Sequence, residues 1–147
     1  MATIDRTRTI AAPIKEIWEV LADFGAISSW VDNVDHSCIL VSGPEPVGTT
    51  RRLQVGRETL VERIVEFDPP HTLAYDIGGL PKRLGALTNR WTLQPAGSST
   101  TVTLTSAAEI GSRVDQQLAE RVLCRMLARQ SDSMLAGLAK RMESARV

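Results

Sequence analysis

The spacing of apolar positions changes its period twice along this chain. Thr3–Ile10 reads as a strand, with Ile4 and Ile10 apolar and charged residues between them. Pro13 suits the first position of a helix, where its missing N–H and fixed φ cost little. Ile14, Ile17, Trp18 and Leu21 follow at i, i+3, i+4 and i+7, the spacing of one helical face. Gly25 interrupts that helix, and a second short one is expected over Ala26–Trp30.

After Trp30 the period becomes two. Strands are expected over Ser37–Val41, Thr49–Val55, Glu58–Phe67, Leu73–Ile77, Leu84–Leu93 and Thr100–Ile110. Turn residues separate them: Gly43-Pro44-Glu45-Pro46, Gly56, Asp68-Pro69-Pro70, Gly78-Gly79-Leu80-Pro81 and Pro95-Ala96-Gly97-Ser98. The remainder is helical. Ser112 with Asp115 resembles a capping box in its weaker Asp form. Leu123, Leu127, Met134, Leu138 and Met142 then form one stripe. A helix of about 30 residues is ~45 Å long, more than a small domain's radius, so it must lie across the sheet. The order of elements is α+β, with helices segregated from a meandering antiparallel sheet.

Length and charge narrow the class. The 147 residues are expected to form a single domain over the whole chain, 1–147. Lys+Arg and Asp+Glu are both 17, which argues against a dedicated nucleic-acid binder. No apolar run approaches the roughly 18 residues of a membrane span. Met1–Arg6 shows no apolar leader region, so a cytoplasmic location is expected. Cys38 and Cys124 stand far apart, in no pattern for a disulfide framework or zinc, and are read as reduced thiols. His36 and His71 stand alone and read as turn or surface residues. There is no GxGxxG, Walker loop, HExxH or GxSxG, so neither a cofactor nor a metal is expected.

The order of elements resembles the helix-grip fold of the START-like superfamily, which includes birch-pollen-type allergens, plant abscisic-acid receptors and bacterial polyketide cyclases. The chain looks most like the bacterial polyketide cyclase/dehydrase and lipid transport group. The resemblance rests on Pro13–Trp18, Pro46–Arg52, Leu60–Pro70, Leu73–Tyr75, Arg90–Leu93 and Thr101–Thr103, in that order along the chain. It implies a curved seven-stranded antiparallel sheet wrapped around the long C-terminal helix, two short helices between strands 1 and 2, and a cavity between sheet and helix. Superfamily members are carriers, receptors and enzymes, so the fold leaves function open.

Alternation assigns some inward positions directly. Arg51, Leu53 and Val55 share one face of their strand, and Leu73, Tyr75 and Ile77 share one face of theirs. Over Glu58–Phe67 the sets Leu60/Glu62/Ile64 and Val61/Val65/Phe67 both look half apolar; resemblance to the plant receptors puts Glu62 inward. For the last two strands the two arguments conflict. Pattern buries Leu87, Trp91, Leu93, Val102 and Leu104, whereas the resemblance turns Thr88, Arg90, Thr92, Thr103 and Thr105 toward the cavity and Trp91 outward. The expectation adopted is that of the resemblance.

On that basis the expected function is binding, as carrier or sensor, of a small hydrophobic molecule such as a lipid or polyketide-like compound. Glu62, Arg51, Arg90 and Gln130 would fix its polar end, with Thr92 and Thr105 beside them. Leu53, Leu60, Ile64, Tyr75, Met126 and Met134 would form the walls. The loops at Gly56 and Gly78–Pro81 are candidate gates. The bland reading of Glu62 is a structural ion pair with Arg51 or Arg90, and that of Met126 and Met134 is a plain helix core. The alternative function is a polyketide cyclase or dehydratase, with Glu62 or Tyr75 moving protons. Arg121, Arg125 and Arg129 recur every four residues and read as a solvated face, or as a face that touches anionic lipid or an acidic partner. Exposed sheet edges and an outward Trp91 would support a homodimer.

Overall fold

The computed structural model describes residues 2–79, 84–110 and 116–144. Seven strands make one antiparallel sheet: β1 (Ala2–Ile10), β2 (His36–Val41), β3 (Thr50–Val55), β4 (Glu58–Asp68), β5 (Thr72–Gly78), β6 (Leu84–Ala96) and β7 (Ser99–Ile110). Their spatial order is β1-β7-β6-β5-β4-β3-β2. Each strand from β2 to β7 therefore pairs with its chain neighbours, and β1 closes against β7. Helix α1 (Ile14–Ala22) and a 3₁₀ segment (Phe24–Ser29) lie between β1 and β2, and α2 (Gln116–Ser144) follows β7. This is the α+β helix-grip arrangement expected above. The Ser112–Asp115 capping box falls outside the described residues.

Helix α1 begins one residue later than expected. Pro13 is extended (φ −64°, ψ 148°), and its carbonyl accepts from the amides of Glu16 and Ile17 at 3.1 and 3.3 Å. Ile17, Trp18 and Leu21 bury the helix's apolar face. Trp18 meets Phe67 of β4 edge to face at 5.2 Å.

Phe67 explains why β4 looked ambiguous in sequence. Ile64 pairs with Tyr75 and Glu66 with Ala74, so Val65 is an extra residue in the ladder. A bulge of this kind shifts the alternation by one. Leu60, Glu62 and Ile64 point inward before it, and Phe67 packs on the core after it. Val61 and Val65 are left exposed.

The last two strands correct the expectation taken from the resemblance. Trp91, Leu93, Val102 and Leu104 are at most 1% exposed and form the inner face of β6 and β7. Trp91 does not face outward; it meets Trp30 edge to face at 5.8 Å. Thr88, Arg90, Thr92, Thr103 and Thr105 lie on the opposite face, where Thr88 donates to Asp76 and Thr103 bonds Thr7. The physical reason is area. Exposing an indole and three aliphatic side chains forfeits about 1.5–3 kcal/mol each, whereas threonines and an arginine lose little in water.

Helix α2 crosses the inner face. The expected stripe Leu123, Leu127, Met134, Leu138 and Met142 is buried, with Ser131, Leu135 and Ala139 filling it out. Gly137 sits where a Cβ would lie 2.2 Å from the Trp30 carbonyl oxygen. The helix can approach the 3₁₀ segment closely because that side chain is missing.

Candidate functional site

Between the inner sheet face and the first half of α2 lies a cavity of about 350 Å³. Its walls are mainly aliphatic. Leu53, Val55 and Leu60 come from β3 and β4, Ile77 and Leu87 from β5 and β6, and Leu123, Leu127 and Met134 from α2. Ile27, Val31 and Val34 close the end beneath the 3₁₀ segment. The volume falls at the small end of the roughly 300–1,000 Å³ of ligand pockets.

A register row explains the polar part. Arg51 pairs with Glu62, Glu62 with Ile77, Ile77 with Leu87 and Leu87 with Ala108, so five strands align one row on the inner face. Arg51 and Glu62 are 2% and 4% exposed, which makes theirs a buried ion pair. Arg51 Nε donates to Glu62 Oε1 at 2.8 Å, and Nη2 lies 2.6 Å from the same oxygen. That second approach is too bent to count as a hydrogen bond. Nη1 donates to the Phe24 carbonyl at 2.9 Å. The guanidinium carbon lies 3.7 Å from the Phe24 ring centre and 4.7 Å from that of Tyr75. Two cation–π contacts thus help offset the loss of water around Arg51.

Glu62 lines the cavity, whereas Arg51 and Tyr75 stand behind it. Burial pushes the Glu62 carboxyl above the ordinary carboxylate range, and the neighbouring Arg51 charge and hydrogen bond only partly oppose that. Tyr75 is pushed up as well, first by burial and then by the Glu62 charge. Its hydroxyl oxygen accepts from Trp91 Nε1 at 3.2 Å and from Asn89 Nδ2 at 3.4 Å. Asn89 Oδ1 in turn accepts from Ser106 at 2.7 Å, and Ser106 lies 3.4 Å from Ser131 on α2. Asn89, Ser106 and Ser131 all reach the cavity wall.

The structure divides the expected site residues sharply. Leu53, Leu60, Glu62, Met126, Gln130 and Met134 line the cavity. Met126 does so from the rim, 62% exposed, rather than from a buried wall. Gln130 is exposed as well, at the mouth, where it accepts from Asn33 Nδ2 at 3.1 Å. The buried polar position of the α2 stripe is Ser131, one residue on. Arg51, Ile64 and Tyr75 are buried but lie outside the lining. Arg90, Thr92 and Thr105 are corrected outright, because they sit on the outer face. Arg90 is paired there with Glu66 at 3.2 Å, both half in solvent.

Asn89 and Ser106 were missed, although the signal was present. Asn89 shares a strand face with Leu87 and Trp91, and Ser106 with Val102 and Leu104, so the pattern that buries those apolar residues turns both polar groups inward. Of the candidate gates, Gly56 and Gly78–Gly79 are described, and Leu80–Pro81 lie outside the described residues. His36 and His71 are exposed, and Cys38 and Cys124 are free thiols. Arg121, Arg125 and Arg129 are exposed along α2. No helix among the described residues is long and apolar enough to cross a membrane, and no group of metal-ligating side chains occurs among them.

A second hollow, of about 400 Å³, opens between α1, the 3₁₀ segment and the end of α2. Glu16, Glu19, Asp23 and Arg141 rim it, so it is a charged surface groove and not an apolar chamber.

A family model for polyketide cyclase / dehydrase and lipid transport proteins matches residues 1–143. The chain belongs to that family. Solved structures share the fold. The Zhui aromatase/cyclase from Streptomyces sp. R1128 is 24% identical, with a TM-score of 0.80 over 96% of this chain and 93% of that one. A Thermobifida fusca protein solved by NMR is 27% identical, with a TM-score of 0.81 and the same coverages, 96% and 93%. A START superfamily protein from Mycobacterium smegmatis is 16% identical, with a TM-score of 0.78 over 99% of both chains. Among curated proteins none matches.

Proposed function

We propose that this member of the polyketide cyclase / dehydrase and lipid transport family binds one small, largely apolar molecule in the cavity under α2, as a carrier or sensor. The observation that carries this reading is the cavity itself: about 350 Å³ of mainly aliphatic wall, with a buried carboxylate, Glu62, set into it. Apolar walls with a few placed polar groups are the usual make-up of a small-molecule site. The size favours a compact ligand of one to three rings over a long-chain lipid.

A cyclase or dehydratase reading has less support. Such chemistry moves protons both onto and off the substrate, which calls for an acid and a base within reach. Among the described lining residues Glu62 is the one buried titratable group, because Tyr75 is turned to Trp91 and Asn89 behind the wall.

The test is fluorescence titration with N-phenyl-1-naphthylamine, a neutral probe, on the wild type and on Leu60→Trp. Leu60 is half-buried and lines the cavity, so the indole narrows it. Saturable binding of one equivalent, clearly weakened in a folded Leu60→Trp protein, is expected. Absence of saturable binding, or binding indifferent to the indole, would overturn the reading.

A further inference from the structure

The Arg51–Glu62 pair is arranged unevenly. Both Nε and Nη2 of Arg51 fall on Oε1 of Glu62, and Nη1 is spent on the Phe24 carbonyl. Phe24 and Tyr75 cover the guanidinium, so it is walled off from the ligand space. The second carboxylate oxygen, Oε2, accepts no hydrogen bond among the described residues, although Glu62 forms part of the cavity wall. Among the described residues the buried side-chain atoms without a partner are Trp30 Nε1 and Arg51 Nη2 and not Oε2, which leaves Oε2 as the acceptor available to a donor in the cavity. From this we infer that the cavity selects a neutral molecule bearing a hydroxyl, which donates its proton to Glu62 Oε2, and that it discriminates against carboxylates. This inference rests on the cavity being the ligand site and adds the chemical class of what it takes.

Charge decides among the ligand classes. The ion pair is neutral as a unit, so a ligand buried beside it gains no net counter-charge. An ammonium group would leave water for a neutral pair and recover little of its hydration. A carboxylate would bring its own lone pairs against those of Oε2. The described lining contains no lysine, arginine or histidine to meet it, and its second charged residue is another acid, Glu58. A hydroxyl supplies the missing donor and adds no charge. The free fatty acid, the simplest lipid, is thus a poor fit at its polar end. Arg90, expected to help fix the ligand's polar end, offers a carboxylate nothing either, because that side chain is on the outer face.

The experiment displaces N-phenyl-1-naphthylamine with three matched two-ring competitors: naphthalene, 2-naphthol and 2-naphthoate. 2-Naphthol is expected to compete at about tenfold lower concentration than naphthalene, the worth of a hydrogen bond to a charged group, and 2-naphthoate is expected to compete more weakly than either. The Arg51→Met/Glu62→Leu double variant replaces the pair by apolar groups, which buried pairs commonly tolerate. In that variant naphthalene and 2-naphthol should compete equally. Equal competition in the wild type, a preference for 2-naphthoate, or a 2-naphthol preference that survives in the double variant would each overturn the inference. These outcomes stand apart from failure of the cavity reading, in which the displaced probe itself does not bind.

Discussion

Arg51 and Glu62 face each other as direct register partners on β3 and β4, and both are buried. The pair is therefore part of the core, and its Glu62 member is also part of the cavity wall. Removing one member leaves the other as an uncompensated buried charge. Removing both leaves an apolar patch.

The first consequence concerns stability. Glu62→Leu and Arg51→Met should each lower the unfolding free energy by about 3–5 kcal/mol, the cost of stranding a buried charge. The double variant should lie far closer to the wild type than the sum of the two. Urea unfolding of all four proteins gives the cycle. Additive losses would show that the two side chains do not act as a pair.

The pH dependence follows from the raised Glu62 carboxyl. A carboxyl whose folded pKa lies above its unfolded value holds its proton more tightly in the folded state. Its contribution to stability then falls as pH rises from the ordinary value of about 4.3 through the raised folded one. The Arg51→Met/Glu62→Leu protein lacks that loss. Its stability relative to the wild type should climb across that window and level off above it, as read by unfolding at a series of pH values. A relative stability that falls over the same window would mean that Arg51 outweighs burial.

Gly137 offers a test of the α2 placement. Glycine inside a helix is normally about 1 kcal/mol worse than alanine, so Gly137→Ala would stabilise an unobstructed helix. Here the added Cβ meets the Trp30 carbonyl oxygen at 2.2 Å. The variant should instead lose about 1–3 kcal/mol, the usual cost of overpacking. Its unfolding midpoint in urea decides the sign.

Arg90→Ala tests the corrected face of β6. Its ion pair with Glu66 is half in solvent, and such pairs contribute about 0–1 kcal/mol. Affinity for N-phenyl-1-naphthylamine should stay within about twofold of wild type. A large loss would return Arg90 to the cavity.

Much of this architecture was legible in the chain. The i, i+3, i+4 spacing located α1, the α2 stripe named its buried residues, and the period-two runs placed all the strands from β2 to β7. Legibility failed at particular points. On β6 and β7 the alternation itself was right, and borrowing inward positions from distant relatives turned Arg90, Thr92 and Thr105 the wrong way. On β4 the bulge at Val65 breaks strict alternation, and a one-residue insertion in a ladder leaves no mark in hydropathy. On α2, a wheel stepped by about 100° per residue puts Ser131 between Leu138 and Met142 and Gln130 just outside Leu123, so the arithmetic separates the two and the inward expectation for Gln130 was misplaced. The ion pair of Glu62 was legible as one of two partners, Arg51 or Arg90, and the structure shows it with Arg51. Arg51 and Glu62 are 11 residues apart in sequence, and their contact follows from the β3–β4 register.

The most direct measurement is methyl NMR of the leucine, isoleucine, valine and methionine side chains during titration with 2-naphthol. Leu53, Leu60, Leu127 and Met134 line the cavity, whereas Val20 and Met142 line the charged groove. Shifts confined to the first set, saturating at one equivalent, are the expected result. Shifts confined to Val20 and Met142, or none at all, would contradict the claim that the chamber beneath α2 is the ligand site.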